Sequence, residues 1–162
     1  MQNKFSYKKE EKKLMRGFTL IEILLVIGII AVLATVVVVA LDPATRFKDA
    51  RDSRRLSDIQ SILSAVQQYI VDNKGALPSG LDTTERQIGT GGACSISGNC
   101  SVTTDACLDM STDLARYLKS LPTDPQGGSA EATHYSIVVN ANNIVTVTAC
   151  DSTDVTIAEV SR

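Results

Sequence analysis

The chain has 162 residues, of which 44% are hydrophobic and 21% charged, and its formal net charge is −2 at pH 7. This length allows one small domain, and the acidic balance argues against nucleic-acid binding, which requires a basic surface. His134 is the only histidine, and no nucleophile motif or paired metal ligand surrounds it, which argues against an enzyme.

Residues 1–17 form a basic leader. They contain six lysines and arginines against two glutamates, a net charge of +4, which leaves −6 for the remainder of the chain. Basic flanks favour the cytoplasmic side of a membrane, but a second basic cluster follows the next segment, so charge alone barely decides orientation. Met15 is an alternative start to Met1 and would leave a leader of only three residues.

Residues 18–41 form an apolar run of 24 residues that contains one carboxylate, Glu22. As a helix the run would be about 36 Å long, enough to cross a hydrocarbon core of about 30 Å. It is longer than the apolar region of a secretory signal and lacks a good small-residue cleavage site near its end. An uncleaved membrane anchor fits the hydrophobicity equally well, but it leaves the costly carboxylate unexplained.

A cut after Gly17 would explain Glu22. Phe18 would become a new amino terminus with a positive charge, and Glu22 would lie four residues further along the same helical face. In a bundle of such helices, the amine of one subunit could therefore neutralise the carboxylate of a neighbour.

The order of basic leader, Gly17, the residues FTLIE and a long apolar helix resembles the signature of type IV prepilins and type II secretion pseudopilins. In that family a prepilin peptidase cuts after the glycine and methylates the new amino-terminal phenylalanine, and the glutamate guides the subunit into a filament. The resemblance implies cleavage between Gly17 and Phe18, N-methylation of Phe18 and an assembly role for Glu22. It also implies an inner-membrane assembly platform with its ATPase as partners, besides further copies of the chain.

Residues 42–75 are predicted to continue the helix after a kink at the membrane surface. Asp42 precedes Pro43, which disfavours helical geometry at Asp42 but suits the first turn of a new helix. A left-handed cap at Gly75 is expected to end this helix. Its apolar face consists of Leu56, Ile59, Ile62, Leu63, Val66, Tyr69 and Ile70.

The basic cluster from Arg46 to Arg55 alternates with aspartates. We interpret it as a solvated helix surface with local charge pairs. The functional alternative is that its arginines contact anionic headgroups before assembly and neighbouring acidic heads afterwards.

Residues 76–162 are predicted to form a globular head outside the cytoplasm. The expected fold class is α+β, with the long N-terminal helix, transmembrane in its first half, packed on a small antiparallel β-sheet in a pilin-like arrangement. The predicted elements are a helix at 114–121, strands at His134–Val139 and Ile144–Ala149 joined by a turn at Asn140–Asn143, and a final strand at Val155–Val160.

All four cysteines, Cys94, Cys100, Cys107 and Cys150, lie in this head, which suggests disulfides in an oxidising compartment. Three pairings are possible, and we expect Cys94 with Cys100 and Cys107 with Cys150. A zinc site is the alternative, although the sequence contains no CxxC.

The stretch LPTDPQGG, residues 121–128, is similar to a loop near which major pseudopilins bind calcium. The resemblance makes Asp124, Asp151 and Asp154 weak calcium candidates, since calcium requires six to eight oxygen ligands. The aromatic residue that often follows this motif is missing, and a proline-rich turn is the favoured interpretation.

Taken together, the sequence predicts a structural filament subunit whose membrane reservoir lies in the inner membrane. It would be a single-pass protein with its C-terminal head outside the cytoplasm, and it would enter a surface or periplasmic filament. The alternative is a membrane-anchored extracytoplasmic binding protein, for example a minor pilin in adhesion or DNA uptake, that does not itself form filaments. Pilus and secretion pseudopilus are not distinguished by these residues.

Overall fold

The computed structural model describes residues 17–92, 94, 98–102, 107–156 and 158–162. The chain divides into two compact units, with the boundary after Pro43.

The first unit contains helix α1, Leu20–Leu41. Its 22 residues give a length of about 33 Å, and every one of them is exposed. Among the described residues, this is the one region with a helix long and apolar enough to cross a membrane. A helix that is apolar on all sides requires lipid or other apolar helices around it.

The predicted interruption after α1 is confirmed. Asp42 adopts a left-handed conformation with φ of 36°, and helix α2 begins at Pro43. Proline lacks an N–H group and has a fixed φ, so the first turn of a helix accepts it without losing a hydrogen bond.

Helix α2, Pro43–Asp72, belongs to the second unit from Ala44 onwards and carries the predicted apolar face. Its C-terminal end is also as predicted: Gly75 has φ of 92°, and its N–H donates to the carbonyl of Ile70 at 2.8 Å. This left-handed glycine satisfies a carbonyl that would otherwise remain free at the helix end.

A four-stranded antiparallel sheet, in which each strand pairs with the next one along the chain, completes the second unit. The two central strands pair along their full length, from Tyr135 opposite Ala149 to Val139 opposite Val145. The predicted Asn140–Asn143 turn joins them, with Asn143 at φ of 61°. The strands are β1, Arg86–Gln87; β2, Tyr135–Val139; β3, Val145–Ala149; and β4, Glu159–Ser161.

The core lies between the apolar face of α2 and one face of the sheet. Ile59, Ile62 and Val66 are fully buried, and they form one cluster with Ile137 and Val147. The fold class is therefore α+β, as predicted. Loop residues complete the cluster: Leu81, Ile88, Leu108, Met110 and Leu114.

Two predicted elements of the head are wrong. A helix was expected over 114–121, but residues 111–117 form consecutive turns. So short a helix would have too few hydrogen bonds to offset the unfavourable free energy of helix nucleation. Of the predicted strand at Val155–Val160, residue 157 lies outside the described residues, and the described strand begins at Glu159. Asp154 accepts a bond from the Thr156 N–H at 2.9 Å and turns the chain before it.

Candidate processing and assembly site

The predicted cleavage point lies just outside helix α1. Gly17, Phe18 and Thr19 precede the helix, Thr19 is extended with φ of −81° and ψ of 150°, and Phe18 is 79% exposed. Exposed, non-helical backbone is where proteolysis concentrates. The local structure is therefore compatible with cleavage between Gly17 and Phe18.

Glu22 lies in the first turn of α1, where it forms a capping box with Thr19. The Glu22 N–H donates to Thr19 Oγ1 at 3.3 Å, and the Thr19 N–H donates to Glu22 Oε2 at 3.5 Å. The two side chains satisfy helix N–H groups, and the positive end of the helix dipole favours a carboxylate there. Thr19 is therefore the N-cap residue of α1.

The structure shows the uncut chain, in which the Phe18 nitrogen belongs to a peptide bond. Glu22 and Phe18 are close in sequence at the start of α1, but the carboxylate is bonded to the Thr19 N–H. The predicted pair between Glu22 and a Phe18 amine stays a prediction about the cleaved protein.

A shallow apolar groove runs along one side of α1 around Gly28. Its lining is formed by Leu24, Leu25, Ile29, Val32 and Leu33 besides the glycine. The helix continues unbroken through Gly28, and a Cβ placed there would meet no described atom within 4 Å. This geometry agrees with a small residue that lets another helix approach closely.

The second unit contains a buried ionic cluster of Asp52, Arg55 and Asp124. Arg55 is 1% exposed, and its guanidinium donates to Asp124 Oδ2 at 2.5 Å, to Asp124 Oδ1 at 3.1 Å and to Asp52 Oδ1 at 2.8 Å. Asp52 also accepts from Thr153, and Asp124 from the Gln126 N–H. The ionic cluster therefore fastens α2 to two loops that are distant in sequence.

Charge pairing changes the acid–base properties of the ionic cluster. Burial disfavours the ionised forms of Asp52 and Asp124, but hydrogen bonds from Arg55 and from loop groups outweigh it, so both pKa values lie below the ordinary 3.8. The hydrogen bond to Asp124 correspondingly raises the pKa of Arg55, against the opposing effect of burial.

These shifts predict acid sensitivity. The pKa values of Asp52 and Asp124 are lower in the folded protein than in the unfolded chain, where they lie near 3.8. The two ionised carboxylates therefore stabilise the fold fully above this unfolded pKa, and their contribution is lost as the pH falls towards the folded pKa values. We expect the free energy of unfolding, measured by denaturation at successive pH values, to fall over this range. An Asp124→Asn variant should show a shallower fall; equal slopes would contradict this explanation.

Sequence reasoning missed the ionic cluster because it treated the whole basic cluster as solvated. Arg54 is 64% exposed at its side chain, as expected, but its neighbour Arg55 is buried. Helical periodicity could have revealed it. Arg55 lies four residues, about one turn, before Ile59, so it is on the same buried face of the helix as Ile59 and Ile62.

The expected disulfide pairing is wrong. Cys94 pairs with Cys107 and Cys100 with Cys150, with Cα–Cα distances of 5.0 Å in both pairs. The loop carrying Cys100 packs against the end of β3, where the Asn99 N–H donates to the Cys150 carbonyl at 2.9 Å. These tertiary contacts decide the pairing, whereas the prediction used proximity in sequence.

The calcium candidates are held by other partners. Asp124 is paired with Arg55, Asp151 contacts Nδ1 of His134 at 2.7 Å, and Asp154 bonds to Thr156. Within the described ranges, no group of three or more His, Cys, Asp or Glu side chains is placed to hold a metal. The residues therefore do not fit the calcium site suggested by the resemblance.

Residues 12–38 match the family model described as the prokaryotic N-terminal methylation motif, which is the prepilin-type signature. The match contains Gly17, Phe18 and Glu22 and ends within α1. Neither a curated protein nor a solved structure is significantly similar to the chain. The motif supports a type IV pilin-like or pseudopilin-like precursor, and it marks structural proteins that are not enzymes.

Proposed function

We propose that this chain is the precursor of a structural subunit that polymerises through α1, in a type IV pilus or a type II secretion pseudopilus. The observation that carries the proposal is the prepilin-type motif placed directly before a helix that is exposed and apolar on every side. Lipid can cover such a surface before assembly, and the same helix of neighbouring subunits can cover it afterwards.

In this proposal, residues 1–17 are the leader, 18–41 the membrane and assembly helix, 42–75 its amphipathic continuation and 76–162 the head. Prepilin peptidase cuts the Gly17–Phe18 bond and methylates Phe18. The two disulfides favour a head outside the cytoplasm, with α1 as a single span of the inner membrane. An ATP-driven platform then transfers the subunit into the filament.

Glu22 supplies the specificity of the assembly step. Inside a bundle of apolar helices, an unpaired carboxylate is costly, so each Glu22 favours the docking position that provides an amine. The new amino terminus at Phe18 of an adjacent subunit is that amine. In an ordinary anchor the carboxylate would serve only the capping box with Thr19.

A Glu22→Gln variant tests the assembly role of Glu22. Glutamine can keep the capping box while removing the charge, so insertion and cleavage should continue. Loss of a charged hydrogen bond of about 1.5–3 kcal/mol should reduce assembled subunits by about tenfold to a hundredfold. Filament yield in a host with the assembly system, together with amino-terminal sequencing of the filaments, measures both steps.

Thr19→Ala is the matched control, because it removes the helix cap and leaves the carboxylate. Its filament yield should stay closer to that of the unmodified chain. Normal filaments from Glu22→Gln would refute the assembly role. If the protein isolated from the host still carries its leader, processing is refuted. The membrane-anchored binding protein that does not polymerise would then be the better explanation.

A further inference from the structure

The N-terminal end of α2 exposes a group of side chains that the proposed function does not use. We define the juxtamembrane patch as Arg46, Phe47, Lys48, Arg51 and Arg54. Phe47 is 69% exposed, although it is a large apolar residue outside the apolar segment. Phe47, Arg51 and Arg54 are spaced at i, i+4 and i+7, so they share one side of the helix.

The charges of the juxtamembrane patch are weakly compensated. Arg54 has its nearest carboxylate at 3.8 Å, on Asp58, and the Arg51 Nε donates to the carbonyl of Phe47 at 3.2 Å. Among the described residues, Arg46 and Lys48 have no carboxylate within ion-pair distance. The buried Arg55 is occupied by the ionic cluster and cannot contribute.

Chain length keeps the juxtamembrane patch near the bilayer surface. Pro43 is two Cα–Cα steps from Leu41, and Phe47 is four helical steps from Pro43, so the chain holds Phe47 within about 13 Å of the end of α1. The headgroup region extends about 5–8 Å beyond the hydrocarbon core, and long arginine side chains can reach further.

We propose that the juxtamembrane patch binds anionic phospholipid headgroups while the subunit resides in the membrane. Phe47 would enter the boundary between headgroups and acyl chains, and the cations would contact phosphates around it. A lipid surface offers apolar and anionic groups together, which matches this combination of side chains better than an acidic protein surface does. The proposal requires membrane insertion of α1, as the proposed function does, but not filament assembly.

The chain contains no tryptophan, so Phe47→Trp introduces a single fluorescent reporter into the full chain. Val71→Trp is the matched control: Val71 is 76% exposed on the same helix, about 36 Å further along its axis. Both variants are reconstituted into vesicles of phosphatidylcholine alone or mixed with phosphatidylglycerol, with brominated lipids as quenchers. Resistance to alkaline carbonate extraction reports insertion separately.

We expect the Phe47→Trp reporter to be quenched more strongly, by about twofold, in vesicles containing phosphatidylglycerol, and its emission to shift to shorter wavelength. The Val71→Trp reporter should remain solvent-like in both. Adding Arg46→Gln, Arg51→Gln and Arg54→Gln to the Phe47→Trp chain should abolish the difference between the two vesicle types, as should salt at about 1 M.

Each of the following outcomes contradicts the proposal at one of its steps. A chain that resists extraction but has an unquenched reporter at position 47 has no lipid contact there, while the proposed function stands. Equal quenching in both vesicle types rules out recognition of anionic headgroups. An emission shift without bromine quenching indicates a protein neighbour instead. Failure to resist extraction would refute membrane insertion and with it the proposed function.

Discussion

Replacing Arg55 with methionine should lower the free energy of unfolding by about 3–5 kcal/mol. The substitution leaves Asp52 and Asp124 buried without their cation, and both carboxylates are less than 5% exposed. Methionine retains much of the side-chain volume, so the loss reports the missing charge more than a cavity. Denaturation of the purified protein in detergent, followed by the near-ultraviolet circular dichroism of its tyrosines, measures the change.

Arg54→Met is the control for this experiment. Arg54 is the sequence neighbour of Arg55, but its side chain is 64% exposed and its carboxylate contact is 3.8 Å long. Exposed pairs of this kind contribute about 1 kcal/mol or less. Similar losses from the two substitutions would show that the ionic cluster does not hold the head together.

Removing the Cys100–Cys150 disulfide with Cys100→Ala and Cys150→Ala should lower the free energy of unfolding by about 4 kcal/mol in the chain-entropy treatment. The bond closes a loop with a sequence separation of 50, so its loss frees a large part of the unfolded head. Non-reducing mass spectrometry should detect the Cys100–Cys150 pair in the unmodified chain, and the same denaturation experiment measures the loss.

The Cys94→Ala and Cys107→Ala pair is the internal comparison. Its sequence separation is only 13, so the same treatment gives about 3 kcal/mol. The two disulfides are interleaved along the chain, so each removal leaves the other bond in place. A larger loss from Cys94 and Cys107 would mean that native contacts, not loop length, determine the stabilisation.

Helix α2, the break before it and the central hairpin were predictable because local patterns specify them. The spacing of Ile59, Ile62 and Val66 indicated the buried face of α2, and alternation before and after Asn140 indicated the central hairpin. The break at Asp42 followed from the chemistry of the proline after it. In each case the determining residues are neighbours in sequence.

The rest depends on contacts between distant segments. The partner of Arg55 is Asp124, 69 residues away, and local spacing predicts only its contact with Asp52. The disulfide pairing required the position of the Cys100 loop against β3, which local spacing does not specify. The two residues of β1 are too few for a recognisable pattern. They form a strand because they pair with β2.

At the N-terminal site the order of the motif assigned residues but did not predict their contacts. Gly17, Phe18 and Glu22 were assigned from the order of the motif, and the matched family model covers them. The capping box between Thr19 and Glu22 was not expected, although threonine followed three residues later by glutamate is its usual pattern.

The outer strands of the sheet are short: β1 has two residues and β4 has three, against five in each central strand. Long free edges invite strand addition from other molecules, and the risk grows with crowding. In the proposed function, subunits reside side by side in a membrane before assembly, where such strand addition would be a hazard. The short outer strands limit strand addition between heads, which agrees with the proposed polymerisation through α1.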